Sequence, residues 1–515
     1  MYKIGIIGFG TVGKSVLTFL NGQKRDQSGH DEQLFDDGGD EQAIKVQVWD
    51  ARSLSSDESA MIKIYGATLL DASSGMSLPD FIQNNDFVLV SPGVDVSAYQ
   101  SYADRFLCEL DFFSVFFKKP VISVTGSLGK TTTCKLITKL LMVVPRLPDE
   151  RLPEPLRRLE LVNHLGKKTS LKALLGGNVG VGMLDLIKDQ AEGDLGVLEL
   201  SSYQLEFNKK FAPDIAVWTN FFPNHLDRHK TMEAYFEAKF NELRFQHERQ
   251  IAILSADLLT GEAGHLLNDR LATLRPMVCI CSAGEIDAAF AASIKRERFA
   301  VFFVRDGWLV RGIVQQGTLD KIIPLVDMRL LPDVTFTPNW VQILTVLNVV
   351  GIDLTVLQSL LKTVTVEELL PDHHHRLEWC ATIDGVDFYN DSKSTVMQAT
   401  QAAVERLALS GRPIITVVGG KGKGVDRRPL MRFLESNKAV KKVYCFGKDC
   451  DAFSGATCTT VATLEDVLQD IYATMQPGDQ VLFSPSGSSF DLFRSYEHRG
   501  DVFKALVHQK AQATR

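Results

Sequence analysis

The sequence has few cysteines, no long apolar run and no excess of positive charge, and each absence excludes a class of protein. Eight cysteines occur in 515 residues without a CxxC pair or zinc-ligand spacing, which predicts reduced thiols rather than a disulfide scaffold or a zinc domain. No apolar stretch approaches the roughly 18 residues that cross a bilayer, so no membrane insertion is expected. Lysine and arginine number 56 against 63 acidic residues, which argues against a nucleic-acid partner.

These features together predict a cytoplasmic protein that binds a small polar ligand. The apolar stretch 1–20 has glycines at fixed spacing and lacks a small-residue cleavage site, so we do not expect a signal peptide. With 45% hydrophobic and 23% charged residues, the composition is that of an ordinary globular protein. At about 150 residues per domain, the length predicts about three domains.

A glycine motif opens the chain. An apolar strand pattern at Lys3–Ile7 leads into Gly8-x-Gly10-x-x-Gly13 and then into helical apolar spacing, while Asp50 ends a second apolar run. Such a turn lets backbone N–H groups at a helix N-terminus approach a pyrophosphate. A dinucleotide site, another nucleotide site and a purely structural turn all remain open. We expect a Rossmann-like sheet here, with the acidic segment 22–42 as a solvated loop.

A second glycine loop is more specific. The apolar run 121–124 is followed by Thr-Gly-Ser-Leu-Gly-Lys-Thr at 125–131 and by a helical pattern to Leu141. In such a loop Lys130 can reach terminal phosphates, and the Thr131 hydroxyl can bind Mg²⁺. The spacing is shorter than that of the general ATPase loop. The proline-rich segment 142–168 is expected to be an irregular or short-helical surface insertion.

The second loop resembles the shortened ATP loop of the Mur ligase family, whose members use ATP to join amino acids to a UDP-linked muramic acid precursor. The likeness covers nearly the whole chain in the family's order, through segments 125–131, 176–180, 199–206, 224–229, 375–376, 390–395, 419–426, 484–491 and 496–500. Segments 199–206 and 390–395 are most similar to the branch that adds D-glutamate. The resemblance implies a three-domain α/β fold: Rossmann-like at 1–113, P-loop ATPase-like with a mostly parallel sheet at 114–371, and Rossmann-like at 372–515.

The implied activity is ATP-dependent amide-bond formation in peptidoglycan precursor synthesis. The implied substrates are ATP, UDP-N-acetylmuramoyl-L-alanine and D-glutamate. The resemblance also implies two bound Mg²⁺ ions and an enzyme that is a monomer. A carboxylate does not react with an amine at neutral pH, so ATP must first phosphorylate it. Metal ions and a lysine are expected to neutralise the negative charges of the phosphates and carboxylates that then come together. Because the three ligands belong to three domains, the reaction should require these domains to approach one another.

The resemblance also implies site residues, group by group. ATP binding is implied for Gly126, Ser127, Gly129, Lys130, Thr131, Thr132, Asn339 (adenine), Arg376 (γ-phosphate) and Asp391 (ribose). Binding of the UDP-substrate is implied for Gly10, Thr11, Val12, Asp50, Arg52, Ser91, Asn178 and His225. D-glutamate binding is implied for Lys393, Thr395, Lys423, Ser489 and Tyr496. The metal ligands would be Thr131, Glu199, His225 and Lys239 as a carbamate. The catalytic set would be Lys130, His225, Lys239, Arg376 and Lys393.

The chain departs from the family pattern at a few positions. Leu128 stands where Asn is usual, Pro338 where His is usual and Val396 where Asn is expected, while Tyr496 stands where Phe is also common. None of these changes removes a metal ligand or the phosphate lysine, so we expect an active but divergent enzyme.

Plainer interpretations remain beside these roles. For Lys239 the residues alone favour a surface helix. For Glu199 the plainer alternative to a metal ligand is a surface carboxylate, although the end of an apolar strand is a sensible place for such a ligand. Lys421 and Lys423 would otherwise form a basic glycine loop, and the three histidines at 373–375, of which only His375 belongs to a motif, a solvated loop. For the whole chain the alternatives are a sibling ligase or folate polyglutamate synthase, a silent scaffold that binds UDP-muramoyl ligands, and an NAD-dependent dehydrogenase. The last explains only the first glycine motif.

Overall fold

Three β-sheets form the framework of the protein. The computed structural model describes residues 2–25, 44–70, 74–261, 264–332, 335–371, 374–455 and 457–514. The chain divides into two compact units, Met1–Phe221 with Glu233–Leu370, and Phe222–Met232 with Pro371–Arg515. The first unit holds two of the sheets and the second unit holds the third. The prediction of an α/β fold with mostly parallel sheets is confirmed.

The first sheet has five parallel strands in the order β3-β2-β1-β4-β5. The strands are β1 Lys3–Ile7, β2 Lys45–Trp49, β3 Thr68–Leu69, β4 Phe87–Val90 and β5 Phe106–Leu107. The helices are α1 Thr11–Arg25, α2 Ser56–Ile64, α3 Leu78–Gln83 and α4 Glu109–Phe116. This is the Rossmann order that the glycine motif predicts. Residues 22–25 of the predicted acidic loop continue α1, and its remainder from 26 lies outside the described residues.

The second sheet has nine strands in the order β14-β13-β12-β11-β10-β9-β6-β8-β7, of which β6 to β12 run parallel. The strands are β6 Val121–Thr125, β7 Ala173–Gly177, β8 Leu195–Glu199, β9 Ile215–Trp218, β10 Ile251–Ser255, β11 Met277–Ser282, β12 Arg298–Arg305, β13 Trp308–Gln315 and β14 Thr318–Asp327. The helices are α5 Lys130–Val143, α6 Glu154–Arg157, α7 Glu160–Leu165, α8 Met183–Asp189, α9 Ser202–Leu205, α10 Leu226–His229, α11 Met232–Phe240, α12 Asp257–Thr260, α13 Gly264–Leu271, α14 Ala288–Ser293, α15 Thr337–Val350, α16 Leu354–Leu361 and α17 Val366–Leu369. Of these helices, α10 belongs to the second compact unit.

The third sheet has six strands in the order β15-β16-β20-β17-β18-β19, parallel except for the β15–β16 hairpin. The strands are β15 Glu378–Ile383, β16 Val386–Asn390, β17 Ile414–Gly419, β18 Val440–Phe446, β19 Cys458–Val461 and β20 Gln480–Phe483. The helices are α18 Met397–Ala408, α19 Arg428–Ser436, α20 Leu464–Thr474 and α21 Tyr496–Thr514. Short 3₁₀ helices occur at Ser97–Arg105, Asp149–Arg151, Gln190–Glu192, Met328–Leu330 and Cys450–Phe453.

The central strands of the second sheet are apolar on both faces. Every residue of β6 and of β8 is buried, as expected for parallel strands covered by helices on each side. At the end of β8, Glu199 is therefore carried into the interior by its own strand. Because the strands run parallel, the loop after β6 and Glu199 lie at the same edge of the sheet, where Val124 pairs with Glu199.

The segment 142–168 is short-helical, as predicted, but it is not a surface insertion. Its leucines Leu152, Leu156 and Leu165 are buried in the core of the second sheet. Arg146, whose side chain is fully buried, donates hydrogen bonds to the carbonyls of Val350 and Gly166. Sequence reasoning failed here because prolines and basic residues masked an apolar face that packs inward.

The prediction of eight free thiols is wrong for one pair. Cys445, at the end of β18, forms a disulfide with Cys450, with Cα atoms 5.8 Å apart. The chain turns back after the strand, which brings together two cysteines whose sequence spacing gave no signal. In the described part of the chain, no helix combines the length and the apolarity needed to cross a membrane.

Candidate functional site

The loop after β6 has the geometry of a phosphate-binding turn. Gly126 has a φ of 148°, and a Cβ there would lie 2.0 Å from the Thr219 hydroxyl, so only glycine fits. Lys130 begins α5 and folds its ammonium back over the loop, donating to the carbonyl of Gly126 at 2.9 Å. Thr131 and Thr132 follow in the first turn of that helix. The loop therefore places a cation, a hydroxyl and a helix N-terminus together, which suits a polyphosphate.

Two residues that the sequence analysis missed hold this loop in place. Asn220 accepts hydrogen bonds from the backbone N–H groups of Ser127 and Leu128 at 3.1 and 2.8 Å, and it donates to the carbonyl of Leu128. Thr219 donates to the same carbonyl at 2.8 Å. Both residues follow β9, the strand beside β6, so only the folded sheet brings them to the loop. Their polar character after an apolar run was the one available signal.

Asn339, predicted to contact adenine, lies against the same loop. A Cβ on Gly129, whose φ is 79°, would lie 2.6 Å from the Asn339 amide nitrogen. The amide also donates to the Thr335 hydroxyl at 2.8 Å. Asn339 is 3% exposed near the start of α15, so the fold brings a residue more than 200 positions away to the phosphate loop.

Glu199 is buried with one carboxylate oxygen unused. Its side chain is 3% exposed, and its Oε1 accepts a hydrogen bond from the Asn178 amide at 3.2 Å. Its Oε2 is buried and has no hydrogen-bond partner. A buried carboxylate oxygen without a partner costs free energy unless a ligand binds it. The surface-carboxylate interpretation of Glu199 is wrong.

Glycine is needed beside this carboxylate. A Cβ on Gly177, at the end of β7, would lie 2.4 Å from the backbone oxygen of Glu199. The backbone N–H of Asn178 donates to that oxygen at 2.9 Å. The Gly-Gly-Asn motif at 176–178 thus lets two strand ends approach closely and orients Asn178 toward Glu199.

Lys239 is 1% exposed, so the surface-helix interpretation is wrong. From α11, its ammonium donates to the hydroxyl of Thr125 at 3.2 Å and to the carbonyl of Gly126 at 3.0 Å. Burial, reinforced by repulsion from Lys130, lowers the pKa of Lys239 well below that of an ordinary lysine. The fold therefore favours a neutral amine at the base of the phosphate loop.

The donor set fits a hard divalent cation only if ligands from outside the protein take part. Among the described residues, no group of three or more His, Cys, Asp or Glu side chains is arranged to hold a metal. The unpartnered Glu199 oxygen and the nearby hydroxyl-bearing helix turn are oxygen donors of the kind that Mg²⁺ prefers, and this ion commonly takes its other ligands from phosphates and water. The residues present therefore suit a metal that arrives with a nucleotide.

In the first sheet, the predicted substrate residues support the glycine turn. Asp50 accepts from the backbone N–H of Phe9 at 2.7 Å and from the guanidinium of Arg52. Burial alone would raise the pKa of Asp50, but these hydrogen bonds lower it overall. Ser91 donates to the carbonyl of Gly8 at 2.6 Å. Gly10, beside Thr11 and Val12, has nothing within 4 Å of the position of a Cβ, so the turn is open to a ligand there.

In the second unit, the turn 391–395 is held by buried hydrogen bonds. Asp391 accepts from the hydroxyls of Ser484 and Ser394 and from the backbone of Leu377. Burial raises the pKa of Asp391 to about 6, against the lowering effect of these bonds and of nearby Arg376. Lys393 follows in the turn, with its ammonium 5.1 Å from the centroid of the Tyr496 ring. Thr395 is half-buried in the same turn.

A fully buried arginine, which the sequence analysis did not single out, fixes this turn. Arg499 on α21 donates to the hydroxyl and carbonyl of Ser392 at 3.0 and 2.7 Å and to the carbonyl of Gly487 at 2.9 Å. It therefore ties the turn before Lys393 to the loop that carries Ser489, which is 3% exposed. Its place between a histidine and a glycine in segment 496–500 was the only signal.

Lys423 and His225 meet through Asn224 in the same unit. The Lys423 ammonium lies 3.5 Å from the Asn224 side-chain oxygen, which also accepts from the backbone N–H of His225 at 3.1 Å. Both Lys423 and His225 have positive φ angles, 53° and 55°. His375 is buried, and its Nδ1 lies 2.9 Å from the Asn390 amide, so it is no solvated residue; His373 lies outside the described residues.

Comparison with known proteins decides the family. Residues 124–266 match the Mur ligase middle domain, and residues 375–487 match the Mur ligase, glutamate ligase domain. A UDP-N-acetylmuramoylalanine--D-glutamate ligase of Acidobacterium capsulatum is 30% identical over 526 residues, covering 99% of this chain and 97% of that protein. The chain belongs to the Mur ligase family. The resemblance inferred from the motifs is thereby confirmed.

Other relatives of this Mur ligase carry the same name. A UDP-N-acetylmuramoylalanine--D-glutamate ligase of Thermoanaerobacter pseudethanolicus is 28% identical over 519 residues, covering 98% of each chain. Among solved structures, the MurF ligase of Thermotoga maritima in complex with ADP is similar at a TM-score of 0.49 and 17% identity, covering 92% of this chain and 96% of that one. Peptidoglycan synthesis and ligase activity are therefore properties of the Mur ligases to which this chain is related.

Proposed function

We propose that this Mur ligase joins D-glutamate to the alanyl carboxylate of UDP-N-acetylmuramoyl-L-alanine, with ATP converted to ADP and phosphate. The observation that carries the proposal is the pairing of a phosphate loop with the unpartnered buried oxygen of Glu199 at the same sheet edge. The name borne by relatives along the full length of the chain supports the choice of substrates. Three regions divide the work: 1–113 holds the UDP moiety, 114–371 holds ATP, and 372–515 holds the amino acid.

The first chemical step is phosphoryl transfer. An oxygen of the alanyl carboxylate attacks the γ-phosphorus of ATP, the bond to the β,γ-bridging oxygen breaks, and ADP leaves with the electron pair. Lys130 and the N–H groups of the loop stabilise the phosphate charge, and Arg376 follows that charge into the transition state. Mg²⁺ would supply further charge neutralisation, held by Thr131, Glu199, His225 and Lys239 as a carbamate.

The second step forms the amide. The amine of D-glutamate attacks the acyl-phosphate carbon, and the tetrahedral intermediate releases inorganic phosphate as the amine loses a proton. Lys393 and Lys423 receive the carboxylates of D-glutamate, and the hydroxyls of Thr395, Ser489 and Tyr496 complete the pocket. The ring of Tyr496 keeps the Lys393 ammonium in place, and the buried Arg499 fixes the turn that presents it.

Phosphate release across amino acids tests the substrate assignment. The enzyme is supplied with ATP, Mg²⁺ and UDP-N-acetylmuramoyl-L-alanine, together with D-Glu, L-Glu, L-Ala, L-Lys or diaminopimelate. Phosphate release should depend on D-Glu, and Lys130→Ala should lower it by roughly 100-fold or more. Turnover with another amino acid only would favour a sibling ligase. Tight binding of the UDP-substrate without any turnover would favour a silent scaffold.

A further inference from the structure

A polar cavity lies at the amino ends of the central strands of the second sheet, whereas the phosphate loop follows the carboxyl end of β6. The volume of this cavity is about 610 Å³, within the range of small-molecule sites. It is lined at the amino ends of three parallel strands, by Lys119 before β6, Asp214 before β9 and Gln250 before β10. The phosphate loop follows the carboxyl end of β6, so the two sites lie at opposite ends of the parallel strands.

Two segments of the chain form walls of this cavity. The segment 118–120, which joins the first sheet to the second, forms one wall. Helix α7 of the segment 142–168 forms another through Asn163 and His164. A ligand in the cavity would therefore touch both that segment and the connection between the two sheets of the first unit.

Positive charge is concentrated here although the chain as a whole carries a net charge of −7. The lysine and arginine residues of the lining are Lys118, Lys119, Lys210 and Arg249, and the acidic ones are Glu160 and Asp214. In the described structure, the side chains of Lys119 and Lys210 form no hydrogen bond or ion pair. Two ammonium groups at the cavity are thus available to an anion.

The two acidic groups are already engaged. One oxygen of Glu160 lies 3.3 Å from His247 Nε2, and the other lies 3.9 Å from an Arg249 nitrogen. Asp214 accepts from the backbone N–H of Val121 at 2.8 Å, and burial raises its pKa to about 6. Neither carboxylate pairs with Lys119 or Lys210. Asp194, which lies outside the lining and pairs with Lys168, also interacts electrostatically with Lys119, so within the lining itself basic groups outnumber acidic ones.

The pKa of His164 is sensitive to the positive charge at this cavity. Burial, together with repulsion from Lys119 and Lys168, lowers the pKa of His164. The part of this lowering that comes from Lys119 and Lys168 reflects positive charge near the imidazole. A bound anion would oppose that repulsion and raise the pKa, which makes His164 a probe of occupancy.

We propose that this cavity binds a small phosphate-bearing molecule, with Lys119, Lys210 and Arg249 contacting the phosphate and the Asn163 amide as a neutral donor. A phosphate concentrates two negative charges and several acceptor oxygens in a small volume, which matches cations that approach from different walls. This site is separate from the ATP site and does not depend on the proposed ligase activity.

Calorimetric titration with inorganic pyrophosphate tests the site. The full-length protein carries Lys130→Ala and Gly10→Ala in every sample, which weaken binding at the phosphate loop and at the glycine turn of the first sheet. Adding Lys119→Gln and Lys210→Gln together should weaken the remaining pyrophosphate binding by about tenfold or more, because both charges are removed. Lys139→Gln, at an exposed lysine that does not line the cavity, should leave the affinity unchanged. Equal binding by the double variant and the Lys139 control would overturn the proposal, as would malonate binding as tightly as pyrophosphate.

The pKa of His164, followed by NMR and assigned with His164→Gln, gives a second readout that misfolding would not imitate. Pyrophosphate should raise this pKa in the parent protein. Lys119→Gln should raise it without ligand, because one source of repulsion is lost, and the double variant should show no further rise when pyrophosphate is added. A His164 pKa that does not respond to pyrophosphate in the parent protein would contradict the proposal.

Discussion

At the scale of single residues, the unpartnered oxygen of Glu199 is the feature that most needs a ligand. Its neighbour Oε1 is satisfied by Asn178, whereas Oε2 is enclosed without a donor. A buried group in this condition destabilises the protein unless binding compensates for it, so the residue is retained for function at the expense of stability.

Glu199→Gln keeps the shape of the side chain and removes its charge. Because a neutral amide is a poor ligand for Mg²⁺, we expect kcat to fall by roughly 100-fold or more, with the melting temperature unchanged or raised. Steady-state kinetics and thermal unfolding measure the two effects. Glu192→Gln, at an exposed carboxylate paired with Lys172, is the control and should change neither. Full activity of Glu199→Gln would show that this carboxylate holds no metal.

Lys239 should carry a carbamate in the active enzyme. Its lowered pKa increases the share of neutral amine relative to an ordinary lysine, and only the neutral amine reacts with carbon dioxide. With ¹³C-bicarbonate, NMR should show a carbamate carbon that disappears in Lys239→Arg. A free amine in active enzyme at ample bicarbonate, seen in a crystal structure or by mass, would contradict this prediction.

The residue scale also shows where sequence reasoning stops. The burial of Lys239 could not be read from its helix, because α11 mixes charged and aromatic residues and only packing against the phosphate loop shows which side is enclosed. Asn220 lies outside the motif segments on which the family resemblance rests, and Arg499 lies in segment 496–500 without an assigned role. Both act through backbone groups that the fold alone brings near. The motif residues themselves were predictable because each phosphate-binding role requires a specific residue type.

At the scale of elements, two glycines of the first turn have different roles: Gly13 is required for packing, whereas Gly10 is open to a ligand. A Cβ on Gly13 would lie 2.2 Å from the Gly8 carbonyl oxygen, whereas a Cβ on Gly10 meets nothing within 4 Å. Gly10→Ala should therefore leave the melting temperature unchanged and raise the KM for UDP-N-acetylmuramoyl-L-alanine, because the pyrophosphate approaches the backbone there.

Gly13→Ala is the comparison for that experiment. It should lower the melting temperature, because the strand and helix on either side of the turn would have to move apart. Steady-state kinetics and thermal unfolding on both variants give the result. If Gly10→Ala left the KM unaltered, the UDP-substrate would not bind at this turn.

The segment 142–168 acts through Arg146. Removing this fully buried side chain by Arg146→Ala leaves the carbonyls of Val350 and Gly166 without their donor, so we expect a loss of about 3 kcal/mol in unfolding free energy. Urea denaturation measures the loss. Arg158→Ala in the same segment is the control, since that side chain is 77% exposed and its ion pair with Glu154 contributes little. Equal stability of the two variants would show that the segment is not part of the core.

Short apolar runs that end at turn residues were predictable as strands. Elements whose position depends on packing or strand pairing in the folded sheet were not. The apolar runs at 386–389, 414–418 and 481–483 are strands, as predicted, because each is short and ends at turn residues. Strands β12 to β14 were missed, although 299–304 in β12 is a continuous apolar run. Most residues of β14 are exposed, as expected for a strand at the edge of a sheet. The inward face of 142–168 was missed because its leucines follow no single helical period.

At the scale of the whole molecule, composition limited the class of protein and the motifs supplied the rest. The net charge of −7 excludes little about the substrates, because their phosphates and carboxylates meet local cations such as Lys130 and Lys393. The expected three-part α/β organisation corresponds to three sheets, whereas the contact pattern joins the first two sheets in one compact unit. The exact boundaries at 113 and 371 stay predictions.

The central claim is that ATP activates the alanyl carboxylate for attack by D-glutamate, and an isotope measurement tests it most directly. UDP-N-acetylmuramoyl-L-alanine labelled with ¹⁸O in its carboxylate is incubated with the enzyme, ATP, Mg²⁺ and D-glutamate, and the released phosphate is analysed by mass. Because the attacking carboxylate oxygen stays on phosphorus when the amine displaces it, the phosphate should carry one ¹⁸O and should appear only with D-glutamate. Unlabelled phosphate, or release that does not require D-glutamate, would contradict the account.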